Sequence, residues 1–336
     1  MPIKTLENIF NLANREKAER ITISSSDNDY ACHLVLPGQE EAYFKLPKKL
    51  EADLADNLRH LLKLAPQELA RGKYCKLSSA KYKLNFRLSI LPEEHGEKIV
   101  ISILKDKAAL FSLNKLGLQN KEKKTLQKAL NQKSGLIVIS SKQRQGRTST
   151  LFSCLKSIDK DRQTAYFMGE YPEFDIDGLN ILKDSPDNWD IVLRHDSDII
   201  AVDDNNLDNL KNAIRAASTG RLVIITIEAV NALEALYKIL NLGLPWNLVL
   251  DNLNLIIGQS FAKLQRSAKK EFKPGREQIG LFEVLAPSKK LLNFLKNHQA
   301  KLNTKSFWKE TLELAKKDDY RPLSIDALQK QKDGII

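Results

Sequence analysis

A polar segment of eight residues, Ser141–Thr148, has the residue types needed to bind phosphate. It reads SKQRQGRT and has the spacing of the phosphate-binding loop G-x-x-x-x-G-K-[ST]. Ser141 replaces the first glycine, Gly146 keeps the second, and Arg147 stands at the lysine position. In such loops backbone N–H groups hold the phosphates, the cation reaches the outer phosphates and the Ser/Thr hydroxyl binds Mg²⁺. The segment predicts a phosphate-binding loop with altered chemistry, although an ordinary α/β crossover has the same outline.

The sequence on either side predicts the elements that would position this loop. The apolar run 136–139 is typical of a strand buried on both faces of a parallel sheet. After the loop, one apolar face at helical spacing comprises Leu151, Cys154, Leu155 and Ile158. Three further apolar segments indicate strands: 165–168, 199–202 and 222–227. Helical patterns alternate with them, which predicts an α/β unit with a largely parallel sheet.

The rest of the chain adds a second unit and a helical end. Residues 1–105 predict a small α+β domain, with an amphipathic helix at its start, a second helix over 48–64 and a meandering sheet. Residues 106–115 read as a linker, and 116–336 form the α/β domain. The pattern over 246–265 predicts a helix, and the lysine-rich end from Ser288 is also helical.

Composition limits the classes of protein. The chain has 336 residues, 42% hydrophobic and 28% charged, which is typical of a soluble globular protein with two domains. A net charge of +11 suggests an anionic partner, or only a lysine-rich solvated surface. No apolar run approaches the roughly 18 residues of a membrane span, and the N-terminus lacks a signal-peptide core, so we expect a cytoplasmic protein. Three isolated cysteines have no metal-ligand spacing.

Several segments in order resemble the ATPases of type II secretion and type IV pilus assembly. They are RLSILP with GEKIV, the loop itself, LRHDSDII, ASTGRLV, GR with GLFEVL, and the final stretch Leu323–Gly334. The resemblance covers about residues 15 to 335. It implies a RecA-like P-loop NTPase core with a mainly parallel sheet, preceded by a small α+β domain that is PAS-like. It also implies ATP or ADP with Mg²⁺, and a homo- or hetero-hexamer with a family paralogue. A platform protein of the inner membrane would be a partner, and the chain would then lie at the periphery of that membrane. No nucleic-acid partner is expected.

The same resemblance assigns roles to individual residues. The nucleotide-binding positions would be Ser141, Gln145, Gly146, Arg147, Thr148 and Ser149. Thr148 and Asp203 would hold Mg²⁺ through the nucleotide. The catalytic carboxylates would be Asp204, Asp203 and Glu170, with Asp204 one methylene shorter than the glutamate of the family.

The departures from the family pattern fall on positions that carry chemistry. Glycines of the loop are replaced by Ser141 and Arg144, the lysine by Arg147, an aspartate by Tyr171, two histidines by Arg221 and Glu228, and an arginine by Ser102. This concentration favours a pseudo-ATPase, a subunit that keeps the fold but hydrolyses ATP weakly or not at all. Two alternatives stay open: an active motor with drifted motifs, and a basic DNA-binding module.

Overall fold

The computed structural model describes residues 2–25, 29–36, 41–47, 58, 73–78, 83–93, 96–103, 112–169, 174, 176, 178–182, 186–203, 206–265, 268 and 278–336. The chain divides into two compact units, Met1–Ala109 and Leu110–Ile336. The domain limits 1–105 and 116–336, with a linker at 106–115, stay a prediction. The predicted helix over 48–64 lies outside the described residues apart from Leu58, which is helical and buried.

The first unit contains one described helix, α1 (Pro2–Arg15), and an antiparallel sheet. Its described strands are β1 (Arg20–Ser25), β2 (Asp29–Val35), β3 (Glu41–Pro47), β4 (Lys73–Ser78), β5 (Lys83–Glu93) and β6 (Gly96–Ile103). They lie in the order β3-β2-β1-β6-β5-β4. Successive side chains of a strand point to opposite faces, so alternate apolar residues share one face. That face packs with Ile9, Phe10 and Ala13 of α1 and includes Ile21, Ile23, Cys32, Leu34, Phe86, Leu88, Ile90, Ile99 and Ile101.

The second unit is built on a mainly parallel sheet. Its described strands are β7 (Gly135–Ser141), β8 (Ala165–Met168), β9 (Leu179–Leu182), β10 (Ile199–Val202), β11 (Leu222–Glu228), β12 (Leu253–Lys263) and β13 (Gln278–Leu285). They lie in the order β13-β12-β7-β11-β10-β8-β9, and among these pairs only β12 with β13 is antiparallel. The α/β class with a mainly parallel sheet is therefore confirmed.

Helices cover both faces of this sheet. The helices described in this unit are α2 (Asn120–Leu130), α3 (Arg147–Ser157), α4 (Pro186–Arg194), α5 (Leu207–Ser218), α6 (Ala232–Leu240), α7 (Trp246–Asn252), α8 (Lys289–Asn297), α9 (Lys305–Lys317) and α10 (Leu323–Lys332). One apolar cluster includes α5, α6, α7, α8 and α9, and the other includes α2 and α3. Strands buried on both sides need continuous apolar runs, which explains the sequences of β7, β10 and β11. Within the described residues, no helix has the length and apolar character to cross a membrane.

The prediction of a helix over 246–265 is wrong beyond Asn252. Helix α7 ends there, and Leu253–Lys263 forms β12, which pairs parallel with β7 and antiparallel with β13. A short apolar run fits the pattern of a buried helix and that of a buried strand. Here the sheet decides, because Leu255, Ile256 and Ile257 are fully buried beside β7. Strands β4, β9 and β13 were also not predicted from the sequence.

Candidate functional site

The predicted phosphate-binding loop connects the end of β7 to the start of α3. Gly146 occupies the N-cap of α3 with φ 81° and ψ 21°, a left-handed conformation that favours glycine. A Cβ atom at this position would lie 2.5 Å from Cζ of Phe261. Backbone conformation and close approach therefore both require glycine at the second motif position.

The N-terminus of α3 has the features of an anion-binding site. Its first turn holds no acidic residue, and among the described residues no side chain caps it by a hydrogen bond. The first N–H groups of a helix lack partners within the helix, and the helix dipole favours negative charge there. The backbone from Gly146 to Ser149 thus suits a phosphate group.

The other two motif glycine positions hold residues with side chains. Ser141 is fully buried at the end of β7, and its Oγ donates to the carbonyl oxygen of Lys142 at 2.7 Å. Arg144 has φ 58°, a left-handed conformation that is uncommon for a residue with a side chain. Such a conformation persists where surrounding contacts hold it.

Arg147 lies in a partly buried, charged environment. Burial lowers the pKa of its guanidinium, while the carboxylates of Asp203 and Glu228 act in the opposite direction. Asp203 follows β10, and its Oδ1 accepts a hydrogen bond of 2.6 Å from Oγ1 of Thr226. Glu228 ends β11, and its Oε2 accepts from Nε2 of Gln143 in the loop at 3.3 Å. Because parallel strands end at one edge of the sheet, one cation and two carboxylates meet beside the loop.

Magnesium would find few protein ligands at this site. Thr148, in the first turn of α3, and Asp203 offer the oxygen ligands that Mg²⁺ prefers. Within the described part of the chain, no group of three or more His, Cys, Asp or Glu side chains could hold a metal ion. The donor set therefore fits a Mg²⁺ that takes most of its ligands from phosphate and water. Ser149 is half-buried on the same turn, and its carbonyl accepts from Oγ of Ser153.

Other predicted site residues separate in the structure. Glu170 and Asp204 lie outside the described residues, so their catalytic roles stay predictions. Arg221 precedes β11, and its guanidinium donates to the carbonyl oxygens of Thr219 at 2.9 Å and Leu193 at 2.7 Å. A strand of seven residues spans about 20 Å, so Arg221 lies at the edge opposite the loop. Of the two residues at the histidine positions of the family, Glu228 lies at the loop end of β11 and Arg221 does not.

A contact missed by sequence analysis holds the loop against β12. The Oε1 atom of Gln145 accepts from the backbone N–H of Phe261 at 2.7 Å and from Oγ of Ser260 at 3.2 Å. In return, Nε2 of Gln259 donates to the carbonyl oxygen of Gln145. Gln259 is 2% exposed, and the signal for it is a polar residue within the apolar run of a strand.

Comparison with known proteins gives a family. The sequence model of the family described as Type II/IV secretion system protein matches residues 1–310. The Type IV pilus assembly ATPase PilB of Pseudomonas aeruginosa is 30% identical over 223 residues, which are 61% of this chain and 39% of that protein. The Type II secretion system protein E of Xanthomonas campestris pv. campestris is 26% identical over 249 residues, 71% of this chain and 44% of that protein. The chain thus spans less than half the length of these relatives.

Solved structures give the same fold. The pilus retraction motor PilT, solved with bound ADP, superposes with a TM-score of 0.75 and 18% identity over 98% of this chain and 93% of that one. The ATPase DotB of Legionella pneumophila superposes with a TM-score of 0.73 and 14% identity, over 100% of this chain and 93% of that one. At these identities the similarity concerns the fold. It confirms the predicted fold class, an α/β core with a mainly parallel sheet, preceded in the sequence by a β-rich N-terminal unit.

Proposed function

Because this chain belongs to the Type II/IV secretion system protein family, we propose that it binds ATP or ADP as an ATPase-like subunit of a secretion or pilus assembly machine. We further propose that its hydrolysis of ATP is weak or lost. The nucleotide is proposed to bring Mg²⁺ with it. The subunit is proposed to work in a hexamer, in the cytoplasm, against a platform protein of the inner membrane.

The observation that carries nucleotide binding is the N-terminus of α3. Gly146 turns the chain so that the first N–H groups of α3 lie together, and no described side chain caps them. Phosphate oxygens are suited to accept from such groups. The next residue, Arg147, adds a guanidinium beside these N–H groups. The PilT motor, which has a similar fold, was solved with bound ADP, and this supports a nucleotide as the ligand.

Weak hydrolysis is supported by the surroundings of Arg147. A loop lysine is a compact ammonium that reaches the outer phosphates, whereas a guanidinium is broad and planar. The carboxylates of Asp203 and Glu228 already interact with the charge of Arg147. They raise its pKa, which opposes the lowering caused by burial. A cation that already faces two carboxylates has less charge to offer to a γ-phosphate in the transition state.

The active motor is the second candidate, and one contact favours it. Asp203 lies at the carboxyl end of a fully buried strand, and the hydroxyl of Thr226 orients its carboxylate at 2.6 Å. An oriented carboxylate at this place suits a magnesium-bound water. Arg147 also retains a positive charge at the motif position.

A nucleotide titration of the purified protein tests the proposal. ADP and ATP, with and without Mg²⁺, should raise the melting temperature, by the equivalent of about 2.7 kcal/mol at a hundredfold excess over Kd. Phosphate release should stay far below the median enzyme turnover of about 10 s⁻¹. No shift at millimolar nucleotide would refute nucleotide binding, and brisk turnover would identify the active motor.

A further inference from the structure

Strand β12 contacts the phosphate-binding loop through side chains that the sheet itself does not need. The backbone of Gln259 pairs with Phe282 of β13 in the regular register. Its side chain leaves the ladder and donates from Nε2 to the carbonyl oxygen of Gln145. The side chain of Gln145 makes the reverse connection, because its Oε1 accepts from Phe261 N–H and Ser260 Oγ. The two glutamines therefore join the loop and β12 in both directions.

The contact point is the last turn of the loop before α3. A Cβ added to Gly146 would meet the ring of Phe261 at 2.5 Å and Nε2 of Gln259 at 3.3 Å. The backbone N–H groups that would face phosphate begin at this residue. Any shift of β12 relative to the loop would consequently move the groups that bind the ligand.

Gln259 is a costly residue at this place. It is 2% exposed, and its Oε1 accepts no hydrogen bond from any described residue. A buried acceptor without a partner destabilises the folded state, and an apolar side chain of the same shape would avoid the cost. The amide is thus better explained by what Nε2 does for the loop than by a contribution to folding.

We propose that Gln259 and Gln145 are positioning residues, which shape the phosphate-binding loop from β12 in place of the motif glycines. Two glycine positions hold Ser141 and Arg144, and Arg144 adopts φ 58°. A left-handed residue with a side chain persists only when neighbouring contacts determine its backbone. The hydrogen bonds to Gln259 and to the backbone of Phe261 hold Gln145, which directly follows Arg144. The proposal rests on the proposed function for the identity of the ligand, but the shape of the loop is a property of the protein alone.

Amide hydrogen exchange of the nucleotide-free protein measures that shape. Gln259→Met keeps the length of the side chain and removes the donor, and Gln145→Met removes the acceptor on the other side. Either variant should speed exchange over residues 143–148 about tenfold, with no change in β11 or α6. Gln127→Met, at an exposed glutamine of α2, is the matched control and should exchange like the native protein.

Stability separates positioning from a structural role. Gln259→Met deletes a buried acceptor without a partner, so its melting temperature should be unchanged or higher. A structural role instead predicts a lower melting temperature and faster exchange throughout the sheet. Gln145→Met keeps the test decisive if the first variant folds poorly, since its side chain is only part-buried.

Binding of ADP provides the second measurement. Both methionine variants should weaken ADP binding about tenfold, since the phosphate contacts lose their geometry, and Gln127→Met should not. If the native protein binds no ADP, the proposed function fails, while the exchange experiment still decides the role of the glutamines. Exchange over 143–148 at the native rate in both variants would overturn the proposal.

Discussion

Single side chains decide what the loop can do. Arg147 occupies the lysine position, yet its guanidinium is partly buried and faces Asp203 and Glu228. Asp203 is in turn oriented by Thr226. The guanidinium is therefore also a nearby positive charge for two carboxylates at the carboxyl edge of the sheet. Replacing Arg147 should therefore change both the binding of nucleotide and the stability of the nucleotide-free protein.

Arg147→Ala should abolish the rise in melting temperature with ADP. It should also lower the melting temperature of the nucleotide-free protein slightly, because Asp203 and Glu228 would lose a nearby positive charge and Glu228 is exposed to solvent. Thermal unfolding with and without ADP measures both effects. Arg221→Ala is the control, since that arginine lies at the opposite edge of the sheet and should leave the ADP effect intact. An undiminished ADP effect in Arg147→Ala would contradict the assigned role.

Turnover should increase when the family residues are restored. Asp204→Glu returns one methylene to the predicted catalytic carboxylate, and a misplacement of about 1 Å can cost on the order of 10²-fold. Combining it with Arg147→Lys, Ser141→Gly and Arg144→Gly should raise phosphate release further. Asp203→Asn added to the restored protein is the control and should return the rate to background. Brisk turnover of the native protein, lost in Asp203→Asn alone, would show that the chain is an active motor.

Polar contacts between elements hold the last helix of the second unit. Asp326 of α10 is buried, forms an ion pair with Lys330, and accepts from the backbone N–H of Phe282 in β13 at 2.8 Å. Its other oxygen accepts from Nε2 of Gln119, the N-cap of α2, at 3.0 Å. Buried carboxylates need such partners. Helix α10 is therefore attached to β13 and α2 through its polar face, which is why its apolar spacing is a poor guide to its packing.

Glu122 of α2 should make the stability of this junction depend on pH. Burial, and then the nearby Asp326, raise its pKa from 4.5 to about 7, against the opposing effects of Gln119 N–H, Lys330 and Arg321. The folded state thus holds the proton more tightly, and the stability that it contributes below pH 4.5 is lost as pH rises through about 7. Because the group is partly exposed, we expect a loss of about 1–2 kcal/mol.

Glu122→Gln removes this titration and keeps an acceptor for Gln119 N–H. Urea unfolding between pH 5 and 8 should show a flatter pH dependence for the variant than for the native protein. Glu313→Gln is the control, because Glu313 is fully exposed and its pKa is lowered. Equal pH dependence in native protein and Glu122→Gln would show that Glu122 keeps an ordinary pKa.

Some large apolar side chains of the second unit are exposed to solvent. Leu207, at the start of α5, is 61% exposed, and Val230, before α6, is 49% exposed. Both follow strands that end at the carboxyl edge of the sheet, where the loop lies. We therefore propose that a neighbouring subunit of the ring covers Leu207 and Val230, with nucleotide sites between neighbours.

Mass measurement in solution tests the ring. At micromolar concentration, with nucleotide and with a family paralogue, we expect a hexamer. Leu207→Ser and Val230→Ser together should shift it towards monomer, because the interface loses apolar area. Leu91→Ser, at an exposed leucine of the first unit, is the matched control and should leave the assembly unchanged. A monomer in every mixture of the native protein would refute the ring.

Local patterns in the sequence determined much of this protein. The apolar run of β7, the helical face of α3 and Gly146 between them predicted the strand, the loop and the helix that the structure contains. These signals lie within a few residues of one another, because strand burial and helix periodicity are local properties. Separate motifs in the right order were enough to identify the family, which the match over residues 1–310 confirms.

Tertiary structure decided what local patterns left open. Residues 253–263 became a strand because β7 and β13 lie on either side, which no local pattern shows. Gln145 meets Gln259 across 114 residues of sequence. Parallel strands placed Asp203 and Glu228 beside Arg147, and the length of β11 placed Arg221 at the far edge. Spacing along the chain sets which residues share an element, but only the packing of elements sets which side chains meet.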